Sequence, residues 1–154
     1  MASKKAAAAP DAIKLLKTDH EKVRGLLAQF EKATGARREK LRGQIERELK
    51  VHTQIEEEIF YPAYRDAARK KDDKTLYYEA LEEHHVVDLV LPEMNNGESN
   101  EELKAKAKVL KELVEHHADE EEKEMFPRAK KLLDKDQLRA LGEQMQLRKK
   151  TLMA

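Results

Sequence analysis

The chain has no cysteine. That excludes disulfides, thiolate zinc sites, cysteine-ligated iron–sulfur clusters and cysteine nucleophiles. It has only five Gly and four Pro in 154 residues, and β-branched runs are scarce, so few positions signal turns and few segments read as strands. It also lacks net charge: 31 basic and 31 acidic side chains cancel. A binder of nucleic acid needs a phosphate-neutralising excess, so no nucleic-acid partner is expected. No apolar run approaches the roughly 18 residues of a membrane span, so no membrane partner is expected either. The opening Met1-Ala2-Ser3-Lys4-Lys5, followed by four alanines, is too short in its apolar part for a secretory signal. A cytoplasmic protein with a flexible tail over residues 1–10 is the expectation.

What is present is charge and helix formers. Charged residues make up 40% of the chain, and Leu, Ala, Glu, Lys and Arg dominate, which points to an all-α fold. Apolar residues then recur at three- and four-residue steps, the mark of one buried helical face. The first stripe is Ile13, Leu16, Val23, Leu27 and Phe30, opening near Pro10-Asp11 and ending at Thr34-Gly35. The second, from near Arg37, runs Leu41, Ile45, Leu49 and on to Ile59, with Pro62 at or near its end. The third follows a polar loop at Lys71-Asp72-Asp73 and runs Tyr77, Leu81 or Ala80, Val87, Leu91 and Met94 to a stop at Asn95-Asn96-Gly97. Ser99 and Glu102 form a capping box for the fourth, Leu103, Ala107, Leu110, Val114 and Met125. A shorter segment with Leu138, Leu141 and Met145 either lies across the others or pairs with a second copy.

Each stripe is interrupted midway by polar residues on register. His20 breaks the first, His52 and Glu56 the second, His84 the third, His117 and Glu121 the fourth. The interruptions belong to an internal repeat. His52-Thr-Gln-Ile-Glu56-Glu57-Glu-Ile-Phe60-Tyr61-Pro62 aligns without a gap on His117-Ala-Asp-Glu-Glu121-Glu122-Lys-Glu-Met125-Phe126-Pro127, and Asp19-His20 aligns on Glu83-His84. Each half therefore supplies one His and one His-x-x-x-Glu, with approximate two-fold symmetry.

An i, i+4 pair shares a helical face, about 6 Å apart along the axis. Two buried carboxylates beside four imidazoles are costly unless something cationic joins them, and no Lys or Arg occupies the same stripes. Imidazole with carboxylate and no thiolate suits Fe, Mn or Zn. Two six-coordinate metals need twelve bonds. Four His, two shared carboxylates and one oxo or hydroxo bridge supply ten, which leaves two positions for water, another side chain or a small ligand. His85 and His116 are each rotated about 100° from the stripe, which favours exposure or support behind the ligands. Val109 and Leu113 would support an alternative register, His116-x-x-x-Glu120; the Pro127 alignment and the Val114/Met125 stripe favour His117.

The six residues His20, His52, Glu56, His84, His117 and Glu121, with Phe60-Tyr61-Pro62 and Met125-Phe126-Pro127 after the two motifs, resemble the hemerythrin-like HHE cation-binding domains. The resemblance covers roughly residues 11–133, with a C-terminal amphipathic helix or tail over 134–154. It implies an up-down-up-down four-helix bundle, with a short extra C-terminal helix, around a non-haem di-iron centre. It further implies that His20, His52, His84 and His117 are terminal ligands and that Glu56 and Glu121 bridge two Fe ions with an oxo or hydroxo bridge, ahead of Mn or Zn. Oxygen-carrying members have a second His one turn after the third-helix His; here that position is Asp88, which either ligates or stays outside. Those members also place an aspartate after the last His, where this chain has Glu121. The implied function is binding of dioxygen or a related small oxidant, for sensing, storage or detoxification. The alternatives are an enzyme acting on peroxide, nitric oxide or ferrous iron, and an interaction protein with a structural zinc. Tyr61 or Tyr64 would hydrogen-bond into the site if either points inward.

Overall fold

Asp11 starts the first helix: its carboxylate accepts the Lys14 N–H at 2.8 Å in the computed structural model, which describes residues 9–95 and 99–154. The expected tail falls largely, and the Asn96-Gly97 part of the expected stop wholly, outside the described residues. Helix α1 (Ala12–Lys32) buries Ile13, Leu16, His20, Val23, Leu27 and Phe30 on one face. It ends slightly before Thr34-Gly35. Gly35 takes φ 58°, a left-handed conformation natural to glycine, and so reverses the chain into α2 (Gly35–Ile55), two residues earlier than the apolar pattern suggests.

Pro62 does not end the second helix. The helix passes through a π turn at Glu56–Phe60 and continues as α3 (Tyr61–Ala67). The same happens in the other half, where α5 (Asn100–Glu120) passes through Glu121–Met125 into α6 (Phe126–Leu132). In each π turn the N–H five residues after the motif Glu bonds back to its carbonyl, Tyr61 to Glu56 and Phe126 to Glu121. Pro62 and Pro127 have no N–H to hold the ordinary α register there. The extra residue rotates the following face by about 100°. Phe60 and Tyr61 are therefore fully buried, and Ile59, expected on the stripe, is only partly so.

Between these rods lies α4 (Lys71–Val90), extended by a 3₁₀ turn at Leu91–Asn95. Ser99 Oγ caps α5 by accepting the Glu102 N–H at 3.3 Å, the first arm of the expected box. Helix α1 packs against α2 and α5, α4 against α5 and α3, which closes the four-rod bundle. No strand occurs among the described residues. The C-terminal helix α7 (Lys135–Met153) is longer than expected, at 19 residues, because Asp134 and Gln137 complete a capping box and no breaker follows. It lies along α1, α2 and the first π turn, with Leu138 and Met145 buried and Leu141 packed beside them, so that face is used within the chain. Gly142 permits the approach: a Cβ there would sit 2.2 Å from the Pro10 carbonyl oxygen.

The apolar interior is split in two. One cluster gathers Leu16, Ile55, Phe60, Tyr61, Ala80, Met125, Phe126 and Met145; the other gathers Val23, Leu27, Leu49, Val87, Leu110 and Val114. The polar interruptions lie between them at one level of the bundle.

Candidate metal centre

All six stripe-breaking residues are buried and meet in that layer. Their donor atoms form two overlapping groups. His20, His52, Glu56 and Glu121 lie within ligand reach of one another, as do Glu56, His84 and His117. Glu56 belongs to both. Its Oε1 lies 2.9 Å from His52 Nε2, 3.2 Å from His84 Nε2 and 4.0 Å from His117 Nε2. Glu121 mirrors it, with Oε1 2.9 Å from His117 Nε2 and 3.4 Å from His20 Nε2. The His84 and His117 Nε2 atoms face each other at 3.1 Å.

These atoms are close but poorly satisfied. Both ring nitrogens of His20, His52 Nε2, both oxygens of Glu56 and Glu121 Oε1 are buried without hydrogen-bond geometry to any partner. Native interiors rarely leave so many polar atoms orphaned in one place. Nitrogen and oxygen lone pairs converging from two directions fit a pair of cations of the kind that imidazole and carboxylate hold.

Charge confirms the tension. Burial opposes protonation of His52, but Glu56 and Asp19 outweigh it and raise its pKa to about 10. Burial also opposes His84 and His117, and neighbouring carboxylates again win and raise both. Burial acts to raise the Glu56 carboxyl, yet His52, Glu121 and His117 bring it well below its usual range. A cation that binds here would have to displace protons from the imidazoles.

The four rings carry carboxylates behind them. Asp19 meets His52 Nδ1 at 3.0 Å and Glu83 meets His117 Nδ1 at 2.9 Å. Glu57 lies 3.4 Å from His84 Nδ1 and Glu122 3.8 Å from His20 Nδ1. A carboxylate on the far nitrogen fixes the ring and raises its donor strength. Sequence reasoning did not assign these four. The signal was in the repeat: Asp19 aligns with Glu83, and Glu57 with Glu122.

Tyr61 is the aromatic that points inward. Its hydroxyl lies 3.1 Å from His84 Nε2 and 3.3 Å from His117 Nε2, and it donates to Glu121 Oε2 at 3.2 Å. Burial, reinforced by the charges of Glu121 and Glu56, pushes its pKa well above the ordinary value. Its repeat counterpart, Phe126, stacks on His20 at 6.0 Å as Tyr61 stacks on His84 at 5.2 Å. Only one half therefore carries the hydroxyl. Tyr64 is buried too, with an unpartnered hydroxyl, but bonds to none of the six.

Asp88 and His85 are exposed and stay outside the layer. His116 is 72% exposed, so the alternative register fails; it meets Glu83 at 3.2 Å and Glu120 at 3.3 Å on the surface. Burial, then the nearby Glu79 and Glu83, raise the Glu120 carboxyl to about 8. On the other side of the six lies a cavity of about 20 Å³, reached by His20, His52, His84 and His117 and walled by Val23, Leu49, Val87, Val114 and Ala118. Ile55 and Ile59 belong to the opposite cluster.

A family model described as the hemerythrin HHE cation binding domain matches residues 11–129. The crystal structure of a hemerythrin HHE cation binding domain-containing protein from Mycobacterium kansasii aligns with a TM-score of 0.81 at 28% sequence identity, covering 93% of this chain and 87% of that one. A curated relative from Nostoc sp., named DNA nickase, is 26% identical over 124 residues, 80% of this chain and 34% of its own length. The chain thus spans about a third of the curated relative it matches.

Proposed function

The chain belongs to the hemerythrin HHE cation-binding domain family, and we propose that it holds two iron ions and binds dioxygen or a related small oxidant at them. The observation that carries this reading is the convergence of buried donors from His20, His52, Glu56, His84, His117 and Glu121 on two overlapping positions, with those of His20, His52, Glu56 and Glu121 left orphaned. His20 and His52 would hold one ion, His84 and His117 the other, with Glu56 and Glu121 shared. Iron, when bound, supplies the electrons and the open coordination positions. The chain's own residues do the rest. Asp19, Glu57, Glu83 and Glu122 orient the rings. Tyr61 holds its proton against Glu121 and offers an oxygen at the His84/His117 position. Val23, Val87 and Val114 keep water from the side where a ligand would sit. A cavity of about 20 Å³ suits a guest of one or two heavy atoms.

The nicking named for the Nostoc relative is not carried over. The site is buried, and a neutral chain has no charge excess for a phosphate backbone.

Anaerobic loading with ferrous iron should give two ions per chain, and oxygen should then produce near-UV charge-transfer bands. Protein that takes up no metal would overturn the reading. Zinc alone, in protein from unsupplemented cells, would replace it with a structural cation. Hydrogen peroxide turnover abolished by His117→Ala would make the site an enzyme's.

A further inference from the structure

The two cation positions share their bridging carboxylates and have matching histidine pairs, but what stands behind them differs. Behind His52, Asp19 also accepts from Lys149 of α7. Behind His20, Glu122 pairs with Arg24 at 3.0 Å. Both supporting carboxylates on this side are neutralised by fixed cations. On the other side Glu57 meets no Lys or Arg among the described residues, and Glu83 meets His117, His116 and Glu120, none of them a Lys or Arg. The repeat makes the contrast sharper. Extending the Asp19–Glu83 alignment by five residues sets Arg24 against Asp88, a reversal of charge. Among the described residues Lys149 has no counterpart, because α7 packs along α1, α2 and the first π turn and no equivalent helix covers the other half.

Two effects follow, and they have the same sign. A cation on Asp19 or Glu122 weakens the pull of that carboxylate on its imidazole, which makes the imidazole a poorer donor. Lys149 and Arg24, both partly exposed, also repel a metal ion directly, through a boundary where solvent screens charges only in part. The Tyr61 hydroxyl adds an oxygen at His84 and His117, whereas its counterpart Phe126, stacked on His20, offers none.

We propose that the two positions are unequal by construction: His84/His117 takes the first cation, and His20/His52, weakened by Lys149 and Arg24 acting through Asp19 and Glu122, takes the second. Lys149 and Arg24 are positioning residues, and α7 is thereby part of the metal centre. The proposal rests on the two-cation reading above.

The test uses the full chain labelled with ¹⁵N at histidine and titrated with Zn²⁺, a redox-silent probe that accepts the same donors. The first equivalent should move the ring signals of His84 and His117, the second those of His20 and His52. Replacing the cations, Arg24→Gln with Lys149→Gln, should tighten the second step and narrow the gap between the two by about tenfold, and Lys149→Arg should keep it. Simultaneous filling, the reverse order, or an unchanged gap in the double variant would overturn the inequality while leaving two cations in place. Uptake of fewer than two zinc ions would instead overturn the two-cation reading itself. If the double variant does not fold, Lys149→Gln alone and the wild-type order decide the matter.

Discussion

At the residue scale, Glu56 matters most, because it belongs to both ligand groups. Glu56→Gln keeps its shape and removes its charge, so metal content should fall from the proposed two ions per chain to fewer than one, whereas His84→Ala should leave about one; elemental analysis after dialysis checks both. Protonation gives a second prediction. His52 rises from 6.5 to about 10 in the folded chain. A folded pKa above the unfolded one stabilises fully below about 6.5, and that stabilisation is lost as pH climbs through about 10. Metal-stripped protein should therefore show a denaturation midpoint that drops between pH 7 and 10. Loaded protein should be flatter over that range, since the metal already holds the ring, and loading in weak buffer should release protons. Glu56 works in the opposite direction: its depressed pKa stabilises above the ordinary 4.5 and fails in acid. The six residues were legible because a charge or imidazole on an apolar stripe has no bland explanation when four stripes break at one level. Asp19, Glu57, Glu83 and Glu122 were not, because beside the stripe each looks like a solvated acid among many.

At the element scale, the stripes located every rod of the bundle, since burial of one face is what the sequence encodes most strongly. The two π turns were hidden. Proline within a helical pattern reads as a kink or a stop, and nothing local says that the chain will absorb it by widening a turn. The consequence was a one-residue error in register: Ile59 was placed inward, and the true occupants are Phe60 and Tyr61. The same turns put Tyr61 against His84, so a feature invisible in the pattern delivers the one hydroxyl in the ligand layer. Gly142 offers a test of element packing. Alanine should gain about 1 kcal/mol in helix propensity, yet its Cβ would meet the backbone of residues 10–12 at 2.2–2.8 Å. Backbone cannot swing aside as a flexible side chain can, so Gly142→Ala should be net destabilising by roughly 1–3 kcal/mol, read from thermal or denaturant unfolding. An unchanged or raised midpoint would mean that α7 sits further from α1.

At the scale of the whole molecule, the ligand layer is sandwiched between two apolar clusters that are each substantial. Cations should therefore add to stability without being required for folding. Chelated protein should keep its helical circular dichroism while its melting temperature falls. An ion present at about a hundred times its dissociation constant contributes about 2.7 kcal/mol, worth roughly 5–10 °C in a chain of this size. Complete loss of helicity on chelation would contradict this division of labour. The small cavity beside the histidines has a kinetic corollary. Of the side chains around it only Thr53 is not fully buried. On the function proposed above, a small guest would enter past that threonine, so its arrival would be timed by the packing around it rather than by diffusion through solvent. Added viscosity should then leave the rate of oxygen uptake nearly unchanged, while a bulky Thr53→Trp should slow it several-fold and leave the amount finally bound the same, which stopped-flow traces would reveal.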